Sequence, residues 1–160
     1  MNLELILMSE NDIVEFKKNI QYAFQKGFED VFGKCEETIL PEKDIEQSLN
    51  GKGAVAYKAV TDGETVGGAI VAIDDETKHN HLDLLYVKSG TQGKGIGKRL
   101  CTALEKILFY QGYQRIYALI TAENTNSIEF HKKMGYKLRT ELPDAGIKFG
   151  RRIGVVWMDK

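Results

Sequence analysis

Three glycines, Gly93, Gly95 and Gly97, alternate with Lys94, Ile96 and Lys98, and Arg99 follows directly. Ahead of them, residues 82–87 are rich in apolar residues that suit a strand. Behind them, Ile96, Leu100, Leu104, Ile107 and Leu108 recur at helical spacing. A glycine turn between a strand and a helix lets backbone N–H groups approach a ligand without side-chain obstruction. The helix N-terminus adds unpaired donors and the positive end of a dipole. That combination suits a pyrophosphate or a similar anion. A tight turn that merely needs glycine is the structural alternative, and three alternating glycines flanked by cations argue against it. Lys94 and Lys98 are read as adding charge for the phosphates, and Arg99 as a solvated charge at the helix entry.

Two familiar phosphate loops do not fit. A P-loop requires Lys and then Ser or Thr straight after its last glycine. Here Arg99 follows Lys98, and Gln92 stands where the first glycine belongs. The dinucleotide fingerprint requires a glycine three places after its second one, and three past Gly95 is Lys98. What remains is Gln92-x-x-Gly95-x-Gly97 between a strand and a helix. This resembles the coenzyme-binding motif of the GNAT superfamily of N-acetyltransferases, Gln/Arg-x-x-Gly-x-Gly/Ala. Downstream, Asn124-Thr-Asn-Ser-Ile-Glu-Phe-His-Lys-Lys-Met-Gly-Tyr136 is similar to the family's Asn-x-x-Ala-x-x-x-Tyr-x-x-x-Gly-Phe signature. Ser127 takes the small-residue position, and Gly135-Tyr136 ends the motif. The resemblance covers residues 50 to 140, and the order of elements fits along the whole chain.

The resemblance implies acetyl-CoA as co-substrate, without a metal. Coenzyme binding would fall to Gln92, Gly93, Lys94, Gly95, Ile96, Gly97 and Lys98, mostly through backbone donors. Leu85, Tyr86 and Val87 stand where family members pair a strand with the pantetheine arm and aim a backbone N–H at the acetyl oxygen. From the residues alone they read only as a buried strand. Asn124 matches the family's coenzyme-contacting Asn, with Ser127 beside it, although an Asn after a strand equally suits a turn. His131 departs from the pattern, because the family usually has Tyr there as the acid that protonates the departing thiolate. Imidazole can do this with a pKa nearer neutrality, and phosphinothricin-type acetyltransferases carry a histidine at this place. The alternative is a helical His that packs or is solvated.

Asp83 is the candidate base. It lies two residues before Leu85, and strand alternation places Asp83, Leu85 and Val87 on one face. A bulge near Leu85 would disturb that count. His81 shares the parity, and Glu29, Asp30 and Glu36 are alternatives for lining an acceptor pocket. His79, His81 and Asp83 lack further ligands at suitable spacing, so no metal site is expected. The tail Lys148-Phe-Gly-Arg-Arg152 is somewhat similar to the Lys-x-Gly-Arg-Trp-x-Asp-Val tail of the phosphinothricin-type enzymes. Arg152 stands for the Trp and Gly154 for the Asp, so their substrate does not carry over. Phe24, Phe28 and Phe32 repeat at helical spacing and either wall a pocket or pack into a core.

The elements that must position these residues are legible along the chain. A strand is expected at residues 2–8, a helix from about Asp12 to Lys26, and a second helix opening at Pro41. Strands at residues 54–61 and 65–73 flank Thr61-Asp-Gly-Glu64, a hairpin signal. After the glycine-turn unit come a strand at 115–121, a helix at 126–134, and strands near 136–139 and 154–158, with 144–150 as an exposed loop. The fold class expected is mixed α/β (α+β). Its GNAT-type sheet is mixed and mostly antiparallel, of roughly six to seven strands, with helices on both faces.

All 160 residues are read as one domain, 1–160. Hydrophobic content of 42% and charged content of 28% are those of an ordinary globular protein. A net charge of −1 gives no general attraction to nucleic acid or to an anionic membrane. No apolar run reaches membrane-spanning length, and the first residues lack a secretory pattern. Cys35 and Cys101 do not form a disulfide framework, so a reducing cytoplasm is expected. The function expected is acetyl transfer from acetyl-CoA to a primary amine of a small molecule. The alternatives are a non-catalytic acyl-CoA-binding sensor or interaction module, and a protein N-acetyltransferase. The sequence leaves a homodimer open.

Overall fold

A computed structural model of the protein describes residues 2–74, 76–77, 79–88, 91, 95–113, 115–122, 124–148 and 151–160; at 79, 83, 121, 147, 148, 151 and 152 it describes the backbone only. In chain order it contains β1 (Leu3–Leu7), a short 3-10 turn (Glu10–Asp12), α1 (Ile13–Phe32) and α2 (Glu42–Leu49). Next come β2 (Ala54–Thr61), β3 (Glu64–Asp74), β4 (His79–Val87) and α3 (Ile96–Tyr110). The chain ends with β5 (Arg115–Thr121), α4 (Thr125–Lys133), β6 (Lys137–Lys148) and β7 (Arg151–Asp159). The described strands form one seven-stranded sheet in the order β1-β2-β3-β4-β5-β7-β6. Every neighbouring pair is antiparallel except β4 and β5, which run parallel. The expected mixed, mostly antiparallel sheet is present.

Local chemistry accounts for the central strands. Asp62 and Gly63 both have positive φ, 52° and 78°, as a tight two-residue turn requires, and they join β2 to β3. The sheet carries a core on each face. On one, α3 lays Ile96, Leu100, Cys101, Leu104 and Leu108 against sheet residues such as Val71, Leu82, Ile116 and Met158. On the other, Phe16 and Ile20 of α1 and Ile45 of α2 cover Ile70, Leu84 and Tyr86. The α3 stripe is the periodic apolar pattern of the sequence, and Cys101 serves in it as a small core residue, 1% exposed.

The structure departs from the sequence reading in three places. Helix α1 runs past Lys26 to Phe32, because the Phe24–Phe28–Phe32 spacing continues its apolar side. Residues 144–148, expected as loop, extend β6, and Gly146, Ile147 and Lys148 pair with Ile153, Arg152 and Arg151. Pro143 would break an inner strand, but β6 is the edge strand, and its register shift between Leu142 and Gly146 absorbs a residue that donates nothing to the ladder. Residues 149–150 lie outside the described residues. Finally, β4 bulges where Ile70 and Val71 face Leu84 and Leu82, leaving Asp83 as the extra residue. Leu82 therefore joins Leu85 and Val87 on the α3 face, while Leu84 and Tyr86 face α1. Simple strand alternation is therefore interrupted at Asp83.

Leu100 is fully buried beneath the centre of the sheet. Leu100→Ala is expected to lower the free energy of unfolding in a urea titration by about 2–5 kcal/mol.

Candidate functional site

Among the described residues, β4 and β5 pair through His79↔Arg115, Asn80↔Ile116 and His81↔Tyr117 alone. Fully buried Asn80 fastens this stretch, its Nδ2 donating to the Arg115 carbonyl at 3.3 Å. Beyond it, β4 continues to Val87 and β5 to Thr121 with no ladder pair between them. The Asp83 bulge lies just past the last pair. A cavity of about 600 Å3 occupies the parting and is lined from both faces of the sheet. Leu85, Tyr86 and Val87 of β4, Ala118 and Ile120 of β5, and His131 of α4 stand on its walls.

The glycine turn lies at the end of β4. Gln92, Gly93 and Lys94 fall outside the described residues. Gly95 caps α3 with φ +70°, a left-handed conformation that favours glycine. A Cβ on Gly97 would make ordinary contact, 3.5 Å, with both the Phe130 ring and a Val87 methyl, so the start of α3 lies beside α4 and the end of β4. Ile96 is buried and Lys98 is exposed. The first turn of α3 thus presents its backbone N–H groups beside the cavity residue Val87.

Helix α4 is pinned at both ends. Asn124 caps it, its Oδ1 accepting from the Ser127 N–H at 3.2 Å. At the far end Gly135 adopts φ +94°, the Gly135 N–H donates to the Lys132 carbonyl, and the Tyr136 N–H donates to the His131 carbonyl at 2.9 Å. This is a Schellman ending, and it explains why Gly135-Tyr136 closes the sequence signature. Tyr136 turns back into the core, its ring edge-on to His131 at 5.0 Å.

His131 is thereby held in one state. Its Nδ1 lies 2.7 Å from the Ser127 carbonyl, which can only accept, so Nδ1 carries the proton. Nε2 is then a bare acceptor, buried and without a hydrogen-bond partner among the described residues. Burial pushes the imidazole pKa below its ordinary 6.5, against the opposing pull of the Ser127 carbonyl and of Glu105. Glu105 is itself buried and engaged by Lys160, whose Nζ donates to it at 2.9 Å and to the Met134 carbonyl at 2.7 Å. Near neutrality His131 can accept a proton, and it can donate one only after it has been loaded.

The candidate residues do not all converge. Leu85, Tyr86, Val87, Asn124, Ser127 and His131 meet on the cavity, and Gly95–Lys98 open the adjoining helix. The Asp83 side chain lies outside the described residues. His81 is not on the cavity wall; its ring stacks on Tyr117 at 4.7 Å. Nor do Glu29, Asp30 or Glu36 line it. Glu29 accepts from Gln25 and from the Cys35 N–H, and Asp30 pairs with Lys26. Among the lining residues that sequence reasoning missed are Gly27, Ile39, Leu119 and Ile153. Only Gly27 left a trace, as a glycine inside the Phe24–Phe28–Phe32 repeat.

The model of the Acetyltransferase (GNAT) family matches residues 18–136. An uncharacterized protein, YrkN of Bacillus subtilis, is 42% identical over 102 residues, 63% of this chain and 55% of that protein. The L-methionine sulfoximine/L-methionine sulfone acetyltransferase of Pseudomonas aeruginosa is 34% identical over 74 residues, 46% of this chain and 43% of that enzyme. The chain thus spans about half the length of the curated relatives it matches. In overall fold it superimposes on the ribosomal-protein-alanine N-acetyltransferase of Brucella melitensis with a TM-score of 0.74, at 24% identity over 98% of both chains. At that identity the likeness concerns the fold alone.

The state of His131 is measurable. Long-range 15N–1H correlation spectra at pH 7 should show the Nδ1–H tautomer, with a titration midpoint below 6.5; an Nε2–H tautomer or a midpoint above 6.5 contradicts the hydrogen-bond assignment.

Proposed function

This chain belongs to the acetyltransferase (GNAT) family, and we propose that it moves an acetyl group from acetyl-CoA directly to the primary amine of a small molecule, with residues 1–160 acting as one domain. The observation that carries the reading is the parting of β4 and β5 around a cavity that holds Leu85–Val87 on one wall and His131 on another. The residues present suit the coenzyme. A narrow apolar slot between unpaired strand edges fits a pantetheine arm, the Gly95–Lys98 helix entry fits a phosphate, and the orphaned His131 Nε2 supplies a polar atom beside them. When bound, acetyl-CoA supplies an activated thioester.

In this reading the chain's own groups take the following roles. Backbone N–H groups of Ile96, Gly97 and Lys98 bind phosphate oxygen, and Gln92, Gly93 and Lys94 belong to the same turn by the family motif. Leu85, Tyr86 and Val87 orient the thioester along the inner edge of β4. Asn124, its Oδ1 engaged with the Ser127 N–H, keeps its Nδ2 as a donor toward the arm, and Ser127 holds the His131 tautomer through its carbonyl. His131 Nε2 takes a proton from the incoming ammonium, directly or through water, and holds it for the departing sulfur. Asp83, in the bulge at the fork, is the second candidate for the proton-accepting role.

Acetyl-CoA offered with a panel of primary amines should give amine-dependent thiol release. His131→Gln should lower kcat by about 10²–10⁴-fold while the coenzyme Kd stays within about threefold. Because His131 must be neutral to accept a proton, kcat/KM should rise with pH through its depressed pKa, and this acid limb should vanish in His131→Gln. A rate that falls as pH rises through that value would assign His131 as a resting acid instead. Tight coenzyme binding with no thiol release for any amine would leave a coenzyme-binding module.

A further inference from the structure

The polar groups of the cavity gather at one end. Asn124, Ser127 and His131 all come from α4, and no charged side chain occurs among the described lining residues. The other end is built by the C-terminal half of α1. Phe24, Phe28 and Phe32 stand there half-buried, with the Phe28 and Phe32 rings 4.6 Å apart. Phe24 also packs against the core of Phe16 and Ile20, a turn or more earlier, whereas Phe28 and Phe32 belong to neither core and line the cavity. Across from it lie Ile153 and Leu119, the latter 52% exposed.

Gly27 sits within this wall. A glycine inside a helix destabilises it relative to alanine, and here neither conformation nor crowding requires one. Gly27 has no positive φ, and a Cβ on it would meet nothing within 4 Å. What glycine provides at this position is empty space on the cavity side of α1.

We propose that the α1 end of the cavity binds the apolar or aryl group of the acceptor, with Gly27 as the floor of the slot, so that the substrate is an arylalkyl or alkyl primary amine. The inference rests on the acetyl-transfer reading and names the substrate class of that same site. A cavity of about 600 Å3 has room for a phenyl ring beside the pantetheine end. A polyamine or a zwitterionic amino acid would bring further charge into a wall whose described lining offers it no partner. In the transfer, the amine nitrogen bonds to the acetyl carbon as the carbon–sulfur bond breaks. Of the two protons the ammonium loses, one goes to the sulfur and one to solvent.

The test compares acetylation of 2-phenylethylamine, spermidine and methionine by the wild-type protein and by Gly27→Leu, with acetyl-CoA affinity measured by calorimetry and folding by thermal melts. The wild type should prefer 2-phenylethylamine by at least about tenfold in kcat/KM. Gly27→Leu should melt no lower, bind acetyl-CoA within about threefold of wild type, and lose about tenfold or more in kcat/KM for 2-phenylethylamine. Equal or better use of spermidine or methionine overturns the inference and leaves acetyl transfer standing. Unchanged kcat/KM in Gly27→Leu overturns it too, as does a matching loss of acetyl-CoA affinity, which would assign that wall to the coenzyme. Absence of thiol release with every amine removes the acetyl-transfer reading and the inference with it.

Discussion

A parallel pair of strands that shares a ladder over three residues and then parts is a costly arrangement inside a sheet, because backbone groups on the inner edges lose their partners. Here the parting is held open by what each strand does on its outer side. β4 stays paired to β3 as far as Val87↔Gly67, and β5 stays paired to β7 as far as Thr121↔Val155. The next residue prolongs the second alliance, with the Ala122 N–H donating to the Gly154 carbonyl. Below the fork, Asn80 ties the two strands together, and the Asp83 bulge redirects β4 where the ties end. Separation of the inner edges therefore leaves the sheet intact, and the cavity is a property of the topology rather than of any one side chain.

The polarity of that cavity follows from which helices reach it. α4 approaches with a capped N-terminus and a Schellman C-terminus, so the His131 ring between them has little freedom. Its one unsatisfied nitrogen is stranded in an apolar setting, where burial favours the neutral ring. α1 approaches from the opposite face with phenylalanine and a vacant glycine position. The proton handling and the apolar recognition proposed for this site are thus separated along one slot, and the fork in the sheet lies between them.

The sequence showed these parts unequally. Elements whose signal is local were legible: the Asp62-Gly63 turn, the α3 stripe, and the Asn124 to Tyr136 segment, whose capping residue and closing glycine have fixed local tasks. Features created by pairing between strands were not. The bulge at Asp83 depends on where β3 meets β4, and a one-residue slip reverses the face of everything beyond it. The long β6–β7 ribbon was masked by the segment around Gly146, which reads as loop until an edge strand and a register shift make room for it. The α1 wall was ambiguous for another reason: a phenylalanine repeat looks the same whether it faces a core or a cavity, and only the helix's position over the fork decides between them.

The acidic candidates show the same limit. Glu29 and Asp30 are on α1, near the cavity in sequence, yet their side chains are engaged with Gln25, Cys35 and Lys26 and do not line it. In the proposed function the fork is the place where coenzyme and acceptor meet. A crystal structure of the protein with acetyl-CoA tests this most directly. The thioester is expected between the inner edges of β4 and β5, with the pyrophosphate at the Gly95–Lys98 helix entry and the acetyl group facing the α1 wall. A coenzyme bound on another surface, with the fork empty, would contradict it.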